Sequence, residues 1–154
     1  MSSWLGVDLG GTKLRFDDRV VPLDDRRVEA VVGHIVKQAE ARAARGVAIS
    51  FAGWLSTDGA QVIKAPNLGW GATDLCAVFA GYGLACHLEN DVDARAYGEW
   101  LAREPAARGD LLTVNAGTGF ALGMVINGCV VRGARRRAGE IGHWRPGGVD
   151  EQCG

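Results

Sequence analysis

Two short glycine-rich segments contain residue types that bind phosphate groups. The first is Asp8-Leu-Gly-Gly-Thr-Lys13 and the second is Asn115-Ala-Gly-Thr-Gly119. Consecutive glycines let backbone N–H groups turn toward phosphate oxygens, and Thr and Lys side chains supply further donors. Because each segment lies between two predicted strands, the pair indicates a two-part phosphate clamp. A plain tight hairpin turn is the alternative interpretation of each segment taken alone.

The first segment has the glycine spacing of a Walker A phosphate loop but not its residue order. Gly6 and Gly11 stand at the required separation, yet the chain continues Thr-Lys instead of Lys followed by Ser or Thr. A strand is predicted after this segment, whereas a Walker A loop needs a helix there. The sequence therefore argues against a Walker A site at this position.

A carboxylate with polar neighbours stands where a predicted strand ends and a helix begins, in Glu89-Asn90-Asp91. Ligands of α/β proteins bind at the carboxyl edge of the sheet, and a carboxylate held there can accept a hydroxyl proton during phosphoryl transfer. Aspartate is also a frequent helix cap. Spacing alone favours the capping role of Asp91 over the catalytic one.

A histidine and a cysteine late in the chain are residue types that bind zinc. They are His143, within Gly139-Glu-Ile-Gly-His143, and Cys153. A tetrahedral site needs four ligands, so these two residues by themselves are a weak indication of a metal. The remaining cysteines lie in apolar segments, where a cysteine usually packs as a small hydrophobic side chain: Cys76, Cys86 and Cys129.

The apolar pattern predicts the strands and helices that position these segments. Strands are expected over residues 5–9, 14–16, 20–21, 47–51, 84–88 and 111–114, with a hairpin over 121–132 about Asn127-Gly128. Helices are expected over 26–45 with Gly46 as the stop, over 73–81 with Thr73 as the cap, and over 91–103 with Val92, Ala96, Trp100 and Leu101 facing inward. This alternation predicts an α/β fold with a mixed sheet. A boundary is predicted near Gly109, where a connection rich in Arg, Pro and Ala precedes a new hairpin.

Composition excludes several classes of protein. The 154 residues are 47% hydrophobic and 23% charged, which is typical of a globular chain and excludes intrinsic disorder. A net charge of -1 gives no reason to expect nucleic acid or an anionic membrane as a partner. No apolar run is long enough to span a bilayer, and the scattered cysteines favour reduced thiols in the cytoplasm. The 23 glycines are about twice the usual share of roughly 7%.

Taken together, the motifs resemble the ROK family of sugar kinases and repressors, which belongs to the actin-like ATPase superfamily with a ribonuclease-H-like fold. They occur in the family's order: Gly6–Lys13, Ala65–Trp70, Leu88–Val92, Gly117–Gly119, Val125–Gly128 leading to Arg132–Ala134, and Ala138–His143 followed by Cys153-Gly154. The resemblance implies a ribonuclease-H-like lobe over residues 1–109. It also implies the beginning of a second, similar lobe over residues 110–154, which is incomplete.

The resemblance also implies roles for individual residues. Asp91 is expected to be the general base that deprotonates a sugar hydroxyl, which reverses the preference for a simple cap. The implied sugar-binding residues are Gly53, Asn67, Asn90, Asp91, Glu140 and His143. The implied nucleotide-binding residues are Asp8, Gly10, Gly11, Thr12, Lys13, Gly117, Thr118 and Gly119, with Mg²⁺ at Asp8.

By this resemblance His143 opens a zinc site, and Cys153-Gly154 is similar to the start of the cysteine motif that completes it in the full-length family. The expected protein is an ATP-dependent hexose kinase of glucokinase type, using ATP and Mg²⁺, truncated at this motif and inactive alone. Its expected partner is a hexose, with neither nucleic acid nor a membrane, and a homodimer is one expectation. The alternatives are a sugar-responsive regulator without its DNA-binding domain and a non-functional gene remnant.

Overall fold

The computed structural model describes residues 3–117 and 119–143, except for the side chain of His143. The strands are β1 (Trp4–Leu9), β2 (Lys13–Arg15), β3 (Val20–Pro22), β4 (Gly46–Phe51), β5 (Trp54–Leu55), β6 (Val62–Lys64), β7 (Ala85–Asn90), β8 (Leu111–Ala116), β9 (Phe120–Ile126) and β10 (Cys129–Val130). The α-helices are α1 (Val28–Ala41), α2 (Leu75–Ala80) and α3 (Asp91–Ala102). Short 3-10 turns occur at Pro66–Leu68, Pro105–Ala107 and Ile141–His143.

The chain forms two compact units, Met1–Asp91 and Val92–Gly154. This division comes before the body of α3, whereas the division predicted from the sequence lies after it, near Gly109. The assignment of residues 1–109 and 110–154 to two lobes stays a prediction. Within the described residues, no helix is long and apolar enough to cross a membrane.

The first unit is built on a five-stranded mixed sheet in the order β3-β2-β1-β4-β7. Strands β1, β4 and β7 are parallel, while β2 and β3 continue from β1 as antiparallel strands. Alternate residues of β1 are buried, as expected of a strand with one face in the core. Helix α1 buries its apolar stripe in the same core: Val31, Val32, Ile35, Val36 and Ala39. The predicted mixed α/β sheet is confirmed.

Helix α1 is shorter than predicted, and Gly46 is not its stop. The helix ends at Ala41, and Ala43 adopts a left-handed conformation with φ of 49°. Gly46 is instead the first residue of β4, where a Cβ would lie 3.0 Å from the Trp4 ring and 3.1 Å from the Ala85 carbonyl oxygen. A glycine is needed at this position because neighbouring strands crowd it, which the sequence pattern could not show.

Two further details of the helices differ from the sequence prediction. The cap of α2 is Asp74, whose carboxylate accepts a hydrogen bond of 2.8 Å from Ala77 N. Thr73 cannot serve as the cap because its backbone pairs with Val62 in a short antiparallel bridge. In α3 the predicted inward residue Leu101 is 43% exposed, whereas Ala96 is buried as predicted.

The second unit contains an antiparallel sheet in the order β10-β9-β8. The predicted turn between β9 and β10 is confirmed, since Asn127 and Gly128 have φ of 51° and 75°, as an Asn-Gly hairpin turn requires. Asp110 supports this turn by accepting a hydrogen bond of 2.9 Å from Asn127 N. Cys129 is exposed, so the prediction that it packs in an apolar segment was wrong. Cys76 and Cys86 pack against the core of the first unit, as predicted.

Candidate functional site

The first glycine turn connects β1 to β2 and has the geometry of a tight hairpin. Gly10 N donates a hydrogen bond of 3.0 Å to the Lys13 carbonyl, and Leu23 N donates one of 2.9 Å to the Thr12 carbonyl. The Thr12 and Lys13 residues are both exposed. The turn is therefore a hairpin whose two candidate phosphate donors reach solvent, which fits a phosphate ligand.

Gly11 lies directly against Asn67, a residue the sequence assigned to a different motif. A Cβ on Gly11 would stand 2.9 Å from the Asn67 Cβ and 3.0 Å from the Asn67 carbonyl oxygen. The space that a Cβ of residue 11 would occupy is therefore filled by the 3-10 turn Pro66–Leu68. The sequence predicted both segments but gave no sign of this contact.

The turn that carries Asn67 is held by Trp70 and Arg26. Trp70 is only 7% exposed, and its indole Nε1 donates a hydrogen bond of 2.6 Å to the Arg26 carbonyl. Arg26 in turn makes a long hydrogen bond of 3.4 Å from Nη1 to the Asn67 carbonyl. A cleft of about 420 Å³ lies beside these groups and is lined by Asp24, Asp25, Arg26, Arg27, Leu68, Gly69 and Trp70. Neither Arg26 nor this cleft was found by reasoning from the sequence.

Asp8 projects from β1 beside polar groups of the neighbouring strands. Its carboxylate accepts a hydrogen bond of 3.2 Å from Ser50 Oγ, and Arg15 Nε lies 3.8 Å away. The parallel register also aligns Asp8 with Ser50, and Ser50 with Glu89. The Asp8 side chain remains 55% exposed. An accessible carboxylate with an oxygen neighbour fits Mg²⁺, which is usually held by one or two carboxylates together with substrate phosphates.

Asn90 and Gly53 are brought together at the end of β7. Asn90 Nδ2 donates a hydrogen bond of 3.3 Å to the Gly53 carbonyl. The neighbouring Glu89 is buried, and its carboxylate accepts a hydrogen bond of 3.2 Å from Asn90 N. Asp91 is the first residue of α3 and is partly buried. This position suits both a helix-terminal carboxylate and a base, so the geometry leaves the two interpretations of Asp91 open.

The second glycine turn and the remaining candidates lie in the second unit. Gly117 N donates a hydrogen bond of 2.9 Å to the Gly119 carbonyl, and a Cβ at either glycine would meet nothing within 4 Å. This open backbone fits the approach of a ligand. Glu140 is partly buried just before the turn Ile141–His143. The predicted residues Thr118 and Cys153, and the side chain of His143, lie outside the described residues.

A zinc site is not shown. Among the residues that the structure describes, no group of three or more His, Cys, Asp or Glu side chains could hold a metal ion. The two predicted zinc ligands, His143 and Cys153, fall outside the described side chains, so their role stays a prediction. Elsewhere, burial and a hydrogen bond with Cys76 raise the pKa of the Cys86 thiol well above its usual value. This thiol packs against the core of the first unit.

Comparison with known proteins places these segments in a family. A family model described as "ROK family" matches residues 4–154. A glucokinase from Streptomyces coelicolor is 32% identical over 170 residues, which covers 100% of this chain and 54% of that protein. A xylose repressor from Caldicellulosiruptor bescii is 30% identical over 109 residues, covering 70% of this chain and 27% of the repressor. The chain thus spans about half the length of the glucokinase that it matches.

Solved structures agree with this result. The crystal structure of a ROK family glucokinase from Streptomyces griseus, in complex with glucose and AMPPNP, matches with a TM-score of 0.75 and 29% identity. The match covers 92% of this chain and 50% of that one. The predicted actin-like ATPase fold, with its mixed sheet, is confirmed by this likeness. Because the family model extends over almost the whole chain and the fold agrees with it, the chain belongs to the ROK family.

Proposed function

We propose that this chain carries sugar-binding and phosphate-binding segments of an ATP-dependent hexose kinase of the glucokinase type. The observation that carries the proposal is the carboxyl edge of the parallel strands in the first unit. Leu9 of β1, Phe51 of β4 and Asn90 of β7 are aligned in register. The glycine turn, Gly53 and Asp91 therefore all follow strands that end at one edge, where α/β proteins bind their ligands.

The residues at this edge have the chemistry that hexose phosphorylation needs. The amides of Asn67 and Asn90 would bind sugar hydroxyls, and Asp91 would accept the proton of the attacking hydroxyl. Gly53 would line the sugar pocket, since its carbonyl already holds the Asn90 side chain. Glu140 and His143 of the second unit are proposed as further sugar ligands by the family resemblance.

Each of the two glycine turns is a phosphate-binding segment in this proposal. Thr12 and Lys13 would donate from the first turn, and the open backbone at Gly117 and Gly119 would donate from the second, with Thr118 between them. Mg²⁺ bound near Asp8 would neutralise charge on the phosphate oxygens. Phosphoryl transfer needs a site from which water is excluded, and the matched glucokinase is nearly twice as long as this chain. We therefore expect the 154-residue chain to bind ligands without completing a catalytic cycle.

Glucose binding to the 154-residue chain tests the sugar site. Adding glucose to ¹⁵N-labelled protein should shift the side-chain amide resonances of Asn67 and Asn90 in a saturable way. The Asn90→Ala variant should weaken glucose binding about tenfold, equivalent to about 1.4 kcal/mol, because it removes an amide from the edge of the sheet. The Glu99→Gln variant, on the exposed side of α3, is the matched control and should bind like the wild type.

The outcome of this titration separates the proposal from its alternatives. Absence of any glucose-dependent shift at high glucose, or an Asn90→Ala variant that binds as the wild type does, would contradict the sugar site. A second candidate function is sugar-dependent regulation, which the similarity to the xylose repressor favours. A chain that responds to xylose but not to glucose, with or without nucleotide, would support that second function.

A further inference from the structure

We propose that Gly11 is a positioning residue for Asn67, so that the phosphate turn (residues 10–13) and the sugar turn (residues 66–70) act as one packed unit. The inference rests on the proposed function and deepens it. A ligand that shifts one turn would, through the direct contact between Gly11 and Asn67, change the position of the donors in the other turn.

The contact is too close to tolerate even a methyl group at residue 11. A Cβ there would lie 2.9 Å from the Asn67 Cβ, 3.0 Å from the Asn67 carbonyl oxygen and 3.5 Å from the carbonyl carbon. Two of these three neighbours are backbone atoms, which cannot rotate away as the end of a flexible side chain can. By contrast, a Cβ at Gly71, just beyond the sugar turn, would meet nothing within 4 Å.

The sugar turn is fixed on its far side, so it cannot simply move away from residue 11. Ala65 and Trp70 close the turn with two backbone hydrogen bonds of 3.0 Å and 3.2 Å. Ala65 is fully buried, and Leu68 and Trp70 are each only 7% exposed. Moving this turn would therefore expose apolar surface to water, which is unfavourable.

A second connection joins the two turns through the segment that follows β3. Leu23 N donates a hydrogen bond to the carbonyl of Thr12 in the phosphate turn. Three residues later, the Arg26 carbonyl accepts the 2.6 Å hydrogen bond from the Trp70 indole, and its guanidinium reaches the Asn67 carbonyl. The two turns are thus connected twice, directly through Gly11 and Asn67 and indirectly through the segment from Leu23 to Arg26.

This arrangement changes the expected role of Gly11. A glycine that serves only to bring backbone N–H groups close to a phosphate would have open space at its Cβ position. At Gly11 that position is occupied by Asn67. A side chain at residue 11 should therefore disturb the sugar turn even when no phosphate is present. If phosphate binding shifts residue 11, sugar affinity must change, and by linkage sugar must change phosphate affinity by the same factor.

The test compares Gly11→Ala with Gly71→Ala as its matched control. In the ligand-free protein, Gly11→Ala should shift the Asn67 side-chain amide and the Trp70 indole N–H resonances, and Gly71→Ala should leave the Asn67 amide in place. Glucose affinity should fall about tenfold in Gly11→Ala, within the usual range of coupling between sites. Adding inorganic pyrophosphate to the wild type should change glucose affinity, and Gly11→Ala should abolish that change.

A double variant shows whether Gly11 acts through Asn67. Gly11→Ala combined with Asn67→Ala should bind glucose no more weakly than Asn67→Ala alone, because coupled residues are not additive. Fully additive losses, or unshifted Asn67 and Trp70 resonances in Gly11→Ala, would overturn the proposal. If the wild type binds no glucose, the proposed function fails, while the ligand-free resonances still decide the positioning role.

A third variant covers the case in which Gly11→Ala does not fold. Asn67→Gly removes the Cβ that lies 2.9 Å from the new methyl group. Combining it with Gly11→Ala should restore part of the lost stability, measured by the urea midpoint. No recovery in the combined variant would overturn the role given to the Asn67 side chain, since the carbonyl oxygen of residue 67, 3.0 Å from the new methyl group, would then account for the whole clash.

Discussion

Asn67 and Asn90 are the candidate sugar ligands whose surroundings are best defined at the level of single residues. Asn67 is packed against Gly11, and Asn90 donates to the Gly53 carbonyl. The Asn90 amide is therefore held by a backbone carbonyl of another loop, whereas Asn67 is fixed through its backbone and Cβ and is an exposed residue. A preorganised group loses less conformational entropy when it binds a hydroxyl, which suits Asn90 to a ligand site.

Also at the level of single residues, Arg27 lowers the pKa of Asp25, which lines the cleft. Hydrogen bonds from the Arg27 guanidinium and backbone N lower the pKa of the exposed Asp25 carboxyl from its ordinary 3.8 to about 2. The pKa is depressed in the folded protein, so the pair favours folding above pH 3.8 and its contribution is lost as pH falls through about 2.

The Arg27→Gln variant should return the pKa of Asp25 toward its ordinary value. The measurement is the titration of the Asp25 carboxyl carbon by NMR from about pH 1.5 to about pH 6, which covers both the lowered and the ordinary pKa. Arg19→Gln, another exposed arginine, is the control and should leave the midpoint unchanged. An Asp25 midpoint that stays near 2 in Arg27→Gln would contradict this role of Arg27.

At the scale of elements, the close packing of β1, β4 and β7 sets the position of every candidate residue at the sheet edge. Gly46 shows how tight this packing is, since it lies between the Trp4 ring and the Ala85 carbonyl at the start of β4. The same glycine was expected to stop α1. The helix ends earlier because Arg45 N donates a hydrogen bond to the Ser3 carbonyl. Residues 42–45 therefore form the connection between the helix and the sheet and cannot continue the helix.

Alanine at Gly46 should therefore destabilise the first unit. The added methyl group would crowd the Ala85 carbonyl, and overpacking of this kind costs about 1–3 kcal/mol in the free energy of unfolding. Gly33→Ala is the matched control, because a Cβ there meets nothing within 4 Å and lies within α1. This control should gain about 0.5–1 kcal/mol from higher helix propensity. Equal urea midpoints for the two variants would contradict the packing argument.

At the scale of the whole molecule, the second unit exposes a large apolar sheet face. Leu112 and Val114 of β8 and Phe120 of β9 are 58%, 59% and 48% exposed. Strand pairing places Val114 opposite Leu122 and Leu112 opposite Met124, so these side chains share one face. Contiguous apolar surface of this kind is unusual on a monomeric protein and binds apolar partners or dyes.

Replacing Leu112 and Val114 by lysine should lower the fluorescence of the apolar dye ANS bound to the folded protein. The urea midpoint should hardly change, because exposed substitutions usually alter the free energy of unfolding by no more than about 0.5 kcal/mol. Val125→Ala is the contrasting variant, since Val125 is fully buried in the same sheet and its truncation should cost stability. Unchanged ANS fluorescence in the lysine variant would show that this face does not bind the dye.

Much of the organisation of this chain could be predicted from its sequence. The strands β1, β4 and β7, the Asn127-Gly128 turn and the mixed sheet follow from local apolar periodicity and turn chemistry. The exact cap of α2 did not follow, because Thr73 is paired with Val62 from an earlier segment and the cap passes to Asp74. The exposure of Leu101 on α3 did not follow from the apolar pattern either. The same holds for Arg26, which carries no local signal and gains its contacts only from the folded sugar turn.

The sequence by itself determined the family, the fold class and the order of the motifs, because each depends on residues that are close together in the chain. The tertiary structure alone decided which motifs touch. Gly11 meets Asn67, Asn90 meets Gly53, and Trp70 meets Arg26 across long separations in sequence. The physical reason is that parallel strands carry distant loops to a common edge, where steric exclusion, and not local preference, selects a glycine at residue 11.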